Sequence, residues 1–162
     1  MEPSTAKLHG DQLAALLEGS DDFLVNASQF CAFVWHVFPR INWAGFYLLR
    51  STKLYLGPFQ GKVACNPIEI GEGVCGTSFM RRRSVVVEEV ESFEGHIACD
   101  PDSRSELVVP LLHKNDCLGV FDMDSPVPAR FGAADQRLME ELVAVFMERT
   151  HFCPSLLKYP LR

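Results

Sequence analysis

Cys99 lies in a polar loop, Gly95-His96-Ile97-Ala98-Cys99-Asp100, that runs through Pro101, Asp102 and Ser103 into the apolar stretch Leu107-Val108-Val109. Its neighbours are turn formers and proton carriers rather than core residues. A cysteine kept for packing usually sits in an apolar run, because a free thiol behaves as a small hydrophobe. Cys99 is therefore a candidate reactive thiol. Three carboxylates belong to the same part of the chain. Alternation places Asp122 and Asp124 on one face of a strand expected from Cys117 to Ser125, together with Leu118 and Val120. Glu106 opens a strand expected from Glu106 to Leu112. Whether it joins the two aspartates depends on hairpin register, since a slip of one residue sends it to the opposite face.

Three kinds of chemistry can be weighed on these residues. Cys65, Cys75, Cys99 and His96 would be four ligands for a metal, but no Cys-x-x-Cys pair accompanies His96-x-x-Cys99, so a structural zinc is not expected. A cysteine hydrolase would need His96 as base and an oxyanion hole, and no protease-like signature is present. His96 serves equally well to order its loop. Thiol redox chemistry fits better. It needs an accessible thiol, a second thiol to resolve a sulfenic acid, and acids to move protons. Cys99, then Cys65 or Cys75, and the carboxylates Glu106, Asp122 and Asp124 supply those parts. Cys31 in an apolar helix, Cys117 facing away from the carboxylates and Cys153 at a helix end read as structural.

The elements that must hold these groups follow from periodicity and breakers. Residues 1–10 read as a lead. Asp11 can cap a short helix to Glu18, with Leu13, Leu16 and Leu17 on one side and Gly19 ending it. A helix is expected over 22–38, apolar around more than one stripe (Phe23, Phe30, Phe33, Val34, Val37), which points to deep burial or a subunit contact; Pro39 stops it. Asn42 to Leu49 alternates as a strand with Trp43, Gly45, Tyr47 and Leu49 on one face. Trp43 and Tyr47 stand about 13 Å apart along it, with Gly45 between them as a slot for a small ligand. A strand over 53–59 follows a tight turn at Ser51-Thr52. The glycine-rich Ile70-Gly71-Glu72-Gly73-Val74-Cys75-Gly76 opens a helix to about Arg82, where backbone N–H groups can hold a carboxylate or phosphate. It lacks the lysine and spacing of nucleotide motifs. A strand over 84–90, the Cys99 loop, a hairpin turning at His113-Lys114-Asn115-Asp116 and a helix from Phe131 to about Phe152 complete the chain. The expected organisation is one domain over 11–152 and a tail over 153–162.

Composition sets outer limits. The chain of 162 residues is long enough to bury roughly 70% of its unfolded surface without disulfide or metal support. A net charge of −6, with Arg81-Arg82-Arg83 as the one basic run, argues against nonspecific, counterion-driven nucleic-acid binding. No apolar run approaches the ~20 residues of a membrane span, and Met1-Glu2-Pro3-Ser4-Thr5 does not begin a secretory leader. The six cysteines are therefore expected in a reducing compartment, the cytoplasm, where a disulfide is transient and catalytic.

Several blocks together carry a family likeness. Asn42-Trp43-Ala44-Gly45-Phe46-Tyr47, Leu56-Gly57-Pro58-Phe59-Gln60-Gly61, Ala64-Cys65, Gly73-Val74-Cys75-Gly76, Gly95-His96-Ile97-Ala98-Cys99-Asp100, Ser105-Glu106 and Asp122-Met123-Asp124-Ser125 resemble the free methionine-(R)-sulfoxide reductases of the GAF-domain fold. The likeness covers about residues 10–150. Glu94, where the family has proline, and Phe121, where it has a smaller aliphatic residue, are the departures. The resemblance implies an α+β single domain, with a central antiparallel sheet of about six strands, helices on both sides and a closed pocket over one face, and frequent homodimers. It implies reduction of free methionine-(R)-sulfoxide, with Cys99 as nucleophile, Cys65 as main resolving thiol and Cys75 as a second partner. By the same likeness Trp43 and Tyr47 wall the substrate site, Glu106, Asp122 and Asp124 bind its polar end and assist proton transfer, and backbone N–H groups near Ile97 and Cys99 take the carboxylate. No bound cofactor is implied; electrons would come from thioredoxin, itself served by NADPH and thioredoxin reductase. The rival is a GAF sensor whose cysteines act only as a redox switch.

Overall fold

The computed structural model describes residues 3–95 and 99–153. Helices α1 (Pro3–Leu16) and α2 (Phe23–Val37) precede strands β1 (Trp43–Arg50), β2 (Lys53–Gly61) and β3 (Ile68–Glu69). Helix α3 (Gly73–Arg81), strand β4 (Val85–Val87) and a 3-10 turn at Val90–Ser92 follow. Strands β5 (Ser105–His113) and β6 (Asp116–Ser125) and helix α4 (Ala133–Arg149) close the order. The six strands form one sheet, β3-β2-β1-β6-β5-β4, antiparallel at every pairing. This is the expected α+β architecture.

Local sequence explains most boundaries. Asp22 caps α2 by accepting from the Val25 N–H at 3.0 Å, and Phe38 leaves the helix because the residue before Pro39 is pushed to extended backbone. The β5–β6 hairpin turns on Lys114-Asn115, with Lys114 at φ 53°, the conformation that tight two-residue hairpins need. Helix α1 begins at Pro3, inside the stretch expected as a lead, and ends before Gly19. The strand expected over 84–90 is shorter: pairing stops at Val87, and the Val90 N–H turns to the Arg104 carbonyl at 2.9 Å.

Helices α1, α2 and α4 cover one sheet face. Phe30, Phe46, Phe121 and Phe146 meet there, with Phe30 and Phe46 both edge-on to Phe121 at 4.8 Å. Each of these rings is fully buried, and burying one contributes roughly 1.5–3 kcal/mol. The larger ring at Phe121 is thus absorbed on the helix side. Leu118 packs on this side too, rather than with Val120, because the β5–β6 ladder slips between Pro110 and Leu112. The opposite face, under α3 and the loops, carries Trp43, Tyr47, Val74, Cys75, Val108 and Val120. Leu24, Val25 and Trp35 of α2 remain exposed.

Candidate active site

Strand register assembles the polar face. On β1, Trp43, Gly45 and Tyr47 stand opposite Asp124, Asp122 and Val120 of β6. On β5, Glu106 stands opposite Asp124, and Val108 opposite Asp122. Directly paired residues of an antiparallel ladder share a face, so Glu106 does join the two aspartates. All three carboxylates, with Trp43, Tyr47 and Cys75, line one cavity of about 50 Å³ that Cys99 also borders. That is room for a few water molecules.

Trp43 and Tyr47 are in the site but do not flank a slot. Their rings stack at 5.7 Å, and the Trp43 ring also stacks on Phe59 at 5.4 Å. The indole lies over Gly45, where an added Cβ would come within 2.6 Å of Trp43 Cη2. Glycine is needed here to let the ring fold down, so the space lies over the stacked pair rather than between its members.

The two cysteine loops are tied to this wall and to each other. Cys65 and Cys99 form a disulfide, with Cα atoms 5.4 Å apart. Trp43 Nε1 donates to the Lys62 carbonyl at 3.1 Å, and Tyr47 Oη to the Cys65 carbonyl at 2.9 Å. Lys62 Nζ reaches Asp102 at 2.6 Å and Asp100 at 3.4 Å. Asn42 Nδ2 donates to Ser103 Oγ at 3.1 Å and to Asp100 at 3.4 Å. Along the chain Lys62 has no evident role, and Asn42 and Ser103 stand out only as a strand end and a loop residue, because polar residues in loops look alike until their partners are known. His96 and Ile97 lie outside the described residues.

Burial controls the chemistry of the cluster. Glu106 and Asp122 are each 6% exposed, whereas Asp124 is partly open. Desolvation of the charged form pushes Asp122 up to about 7, against which its hydrogen bonds with Cys75 and Glu106 pull it down. Desolvation, then the charges of Asp122 and Asp124, raise Glu106 well above the usual carboxylate range. Asp124 is raised by desolvation and by Asp122 and Asp100. The Cys75 thiol is raised by burial first and then by the same carboxylates. Asp122 Oδ1 has no hydrogen-bond partner. The arrangement thus presents carboxyls whose hold on a proton is strengthened by burial, and one oxygen without a hydrogen-bond partner, to whatever enters.

The remaining thiols stand apart. Cys31 is buried on the helix side, donates to the Pro58 carbonyl at 3.2 Å and is pushed by burial up to about 12. Cys117 donates to the Gly119 carbonyl, and Cys153 is exposed. The GAF-domain family matches residues 16–149. Free methionine-R-sulfoxide reductase of Escherichia coli (strain K12) is 48% identical over 130 residues, spanning 80% of this chain and 79% of its own. The structure of fRMsr of Staphylococcus aureus in complex with substrate superposes with a TM-score of 0.85 at 40% identity, over 93% of this chain and 99% of that one. That of free methionine-R-sulfoxide reductase from Neisseria meningitidis with its substrate gives 0.85 at 36%, over 92% of each chain.

Proposed function

The chain belongs to the GAF-domain family and, within it, to the free methionine-R-sulfoxide reductases, and from that membership we propose that it reduces free L-methionine-(R)-sulfoxide to L-methionine. The observation that carries the reading is the Cys65–Cys99 disulfide beside a pocket built of three carboxylates. A sensor's redox switch needs the disulfide but has no use for a cluster of buried acids whose proton affinity is raised by desolvation.

In the first step the Cys99 thiolate attacks the sulfoxide sulfur while a carboxylic acid protonates the sulfoxide oxygen. Glu106, the more deeply buried of the two proton donors considered, takes that role, with Asp124 beside it. The attack joins the two sulfurs. The protonated oxygen then passes to Cys99 Sγ as the S–O bond and the new S–S bond break. The S–S electron pair leaves with methionine, and Cys99, oxidised by two electrons, is a sulfenic acid. Cys65 then attacks the Cys99 sulfur, water leaves, and the disulfide forms. A thioredoxin-type dithiol restores both thiols by exchange, becoming a disulfide itself. Cys75 is a poorer resolving thiol than Cys65, because burial and neighbouring carboxylates oppose its thiolate.

Binding follows the same face. The stacked Trp43 and Tyr47 rings give the S-methyl group an apolar surface. Asp122, with one oxygen unpartnered, takes the substrate ammonium together with Asp124. Gly73 and Val74, which open α3 and line the pocket, offer free backbone N–H groups for the substrate carboxylate. The backbone N–H of Cys99, on the other loop bordering the pocket, is a second source. An acylated amine loses the ammonium pairing, which excludes peptides. The exposed Leu24, Val25 and Trp35 form the surface on which a homodimer would close. The cysteine usage supports a cytoplasmic setting, and among the described residues no helix is long and apolar enough to cross a membrane.

The test is thioredoxin-coupled NADPH consumption with free L-methionine-(R)-sulfoxide, its S epimer and N-acetylated R substrate. Turnover of the free R epimer alone, lost in Cys99→Ser, is expected. Failure of all three substrates, with a reducible Cys65–Cys99 bond still present, turns the reading to the redox-switch sensor.

A further inference from the structure

Cys75 is spared by the main route above, yet it is the most enclosed thiol of the pocket. Its Sγ, an oxygen of Glu106 and an oxygen of Asp122 lie within 4.8 Å of one another, all in buried residues. A separate observation concerns Asp122 Oδ1. It belongs to a residue 6% exposed that lines the cavity, and it has no hydrogen-bond partner. A buried acceptor left unmade costs on the order of 1–3 kcal/mol, so it favours an occupant that donates a hydrogen bond or carries positive charge. A substrate ammonium is one such occupant, and a metal cation is another.

The donor set narrows the metal. One thiolate and two carboxylates suit a borderline-soft divalent ion with three protein ligands and an open fourth position, the pattern of accessible zinc sites. Calcium and magnesium require six or more hard oxygen ligands and gain little from sulfur. Zn–S of about 2.3 Å and Zn–O of about 2.1 Å in a tetrahedron place sulfur and oxygen about 3.6 Å apart. The three ligand atoms need to draw in by roughly 1 Å from the observed limit, a movement that side-chain torsions of Glu106 and Cys75 allow.

We propose that Cys75, Glu106 and Asp122 form a binding site for Zn2+ or a similar thiophilic divalent cation, which shuts the pocket by occupying the place of the substrate's ammonium group. This set differs from the cysteine–histidine set weighed on the sequence. Neither Cys65 nor Cys99 belongs to it, so the disulfide consumes none of its ligands. The binding stands on the geometry alone; only the competition with substrate rests on the proposed reductase activity.

The experiment titrates Cd2+, as a spectroscopic stand-in for Zn2+, into the disulfide-bonded protein, where Cys65 and Cys99 cannot ligate. The expected result is one ion per chain with an ultraviolet sulfur-to-cadmium charge-transfer band, absent in Cys75→Ser, and an affinity weakened roughly tenfold or more in Asp122→Asn. A band that persists in Cys75→Ser, or no band in the parent protein, overturns the site. Should Cys75→Ser not fold by circular dichroism, Asp122→Asn decides, and unchanged affinity overturns it. With the reduced enzyme, Zn2+ is expected to raise KM and leave kcat unchanged; a fall in kcat at constant KM refutes the overlap with substrate. Absence of turnover with every sulfoxide would sink the reductase reading and leave the cadmium result standing by itself.

Discussion

Replacing Asp122 by asparagine should make the protein more stable at alkaline pH while disabling it. Folding moves the Asp122 carboxyl from 3.8 to about 7, chiefly because burial disfavours its charge. Between those values the native chain keeps a proton that the unfolded chain has lost. The associated stability is therefore fully present below about pH 4 and is lost as pH rises through 7. At roughly 1.4 kcal/mol per tenfold change in proton activity, the interval amounts to a ceiling of about 4 kcal/mol. Glu106 shares the titration, so a realised difference of about 2–4 kcal/mol is expected above pH 7. Asparagine carries no charge to desolvate, and its removal of the Asp122 charge also relieves Glu106, Asp124 and Cys75, which that charge raises. Urea unfolding of the reduced protein reads this directly. With a slope of about 2 kcal/mol/M, the variant's midpoint at pH 8 should exceed the parent's by about 1–2 M, and the two should converge near pH 4.5. Turnover of free methionine-(R)-sulfoxide should fall at least roughly tenfold, since the ammonium loses its buried partner. A parent whose stability is flat or rising from pH 4.5 to 8, or a variant with the parent's slope, refutes the reasoning.

Gly45→Ala drives a methyl against Phe59 and to within 2.6 Å of Trp43 Cη2; overpacking of this kind costs about 1–3 kcal/mol. A thermal midpoint lower by about 2–12 °C and a raised KM are expected, and an unchanged midpoint with unchanged KM would place the Trp43 ring elsewhere. Cys65→Ser should release one methionine per chain and then stop, leaving a Cys99 sulfenic acid that dimedone traps. Sustained thioredoxin-coupled turnover in that variant would assign resolution to Cys75. Lys62→Met cuts the link from the Cys65 loop to Asp100 and Asp102. Because the lysine is largely exposed, the expected effect is modest, disulfide formation slowed roughly two- to fivefold with the methionine burst untouched and rescue by Lys62→Arg. Equal rates in all three proteins would rule out the clamp.

Much of this protein could be read along the chain, because local rules determine local structure. Alternation alone placed Trp43, Gly45 and Tyr47 on one face of β1, Asp22 and Pro39 bounded α2, and the glycines at 71–76 marked the start of α3. The polar setting of Cys99 singled out its loop as the candidate for chemistry, and the family likeness nominated Cys65 as its partner, a pairing that the disulfide shares. What the chain order left open was whatever depends on atoms distant in sequence. Glu106 reached the aspartates only through the β5–β6 register, which no single strand encodes. The expected slot between Trp43 and Tyr47 vanished because side-chain torsions, selected by Phe59 on the neighbouring strand, laid the indole over Gly45. Lys62, Asn42 and Ser103 became meaningful only once two loops met. The proton affinities of Asp122 and Glu106 belong to neither residue alone: they arise when the sheet removes water from several acids at once. Sequence thus determined which groups this protein has for chemistry, and tertiary structure decided which of them share a solvent-poor space, because desolvation and register are properties of the assembled sheet.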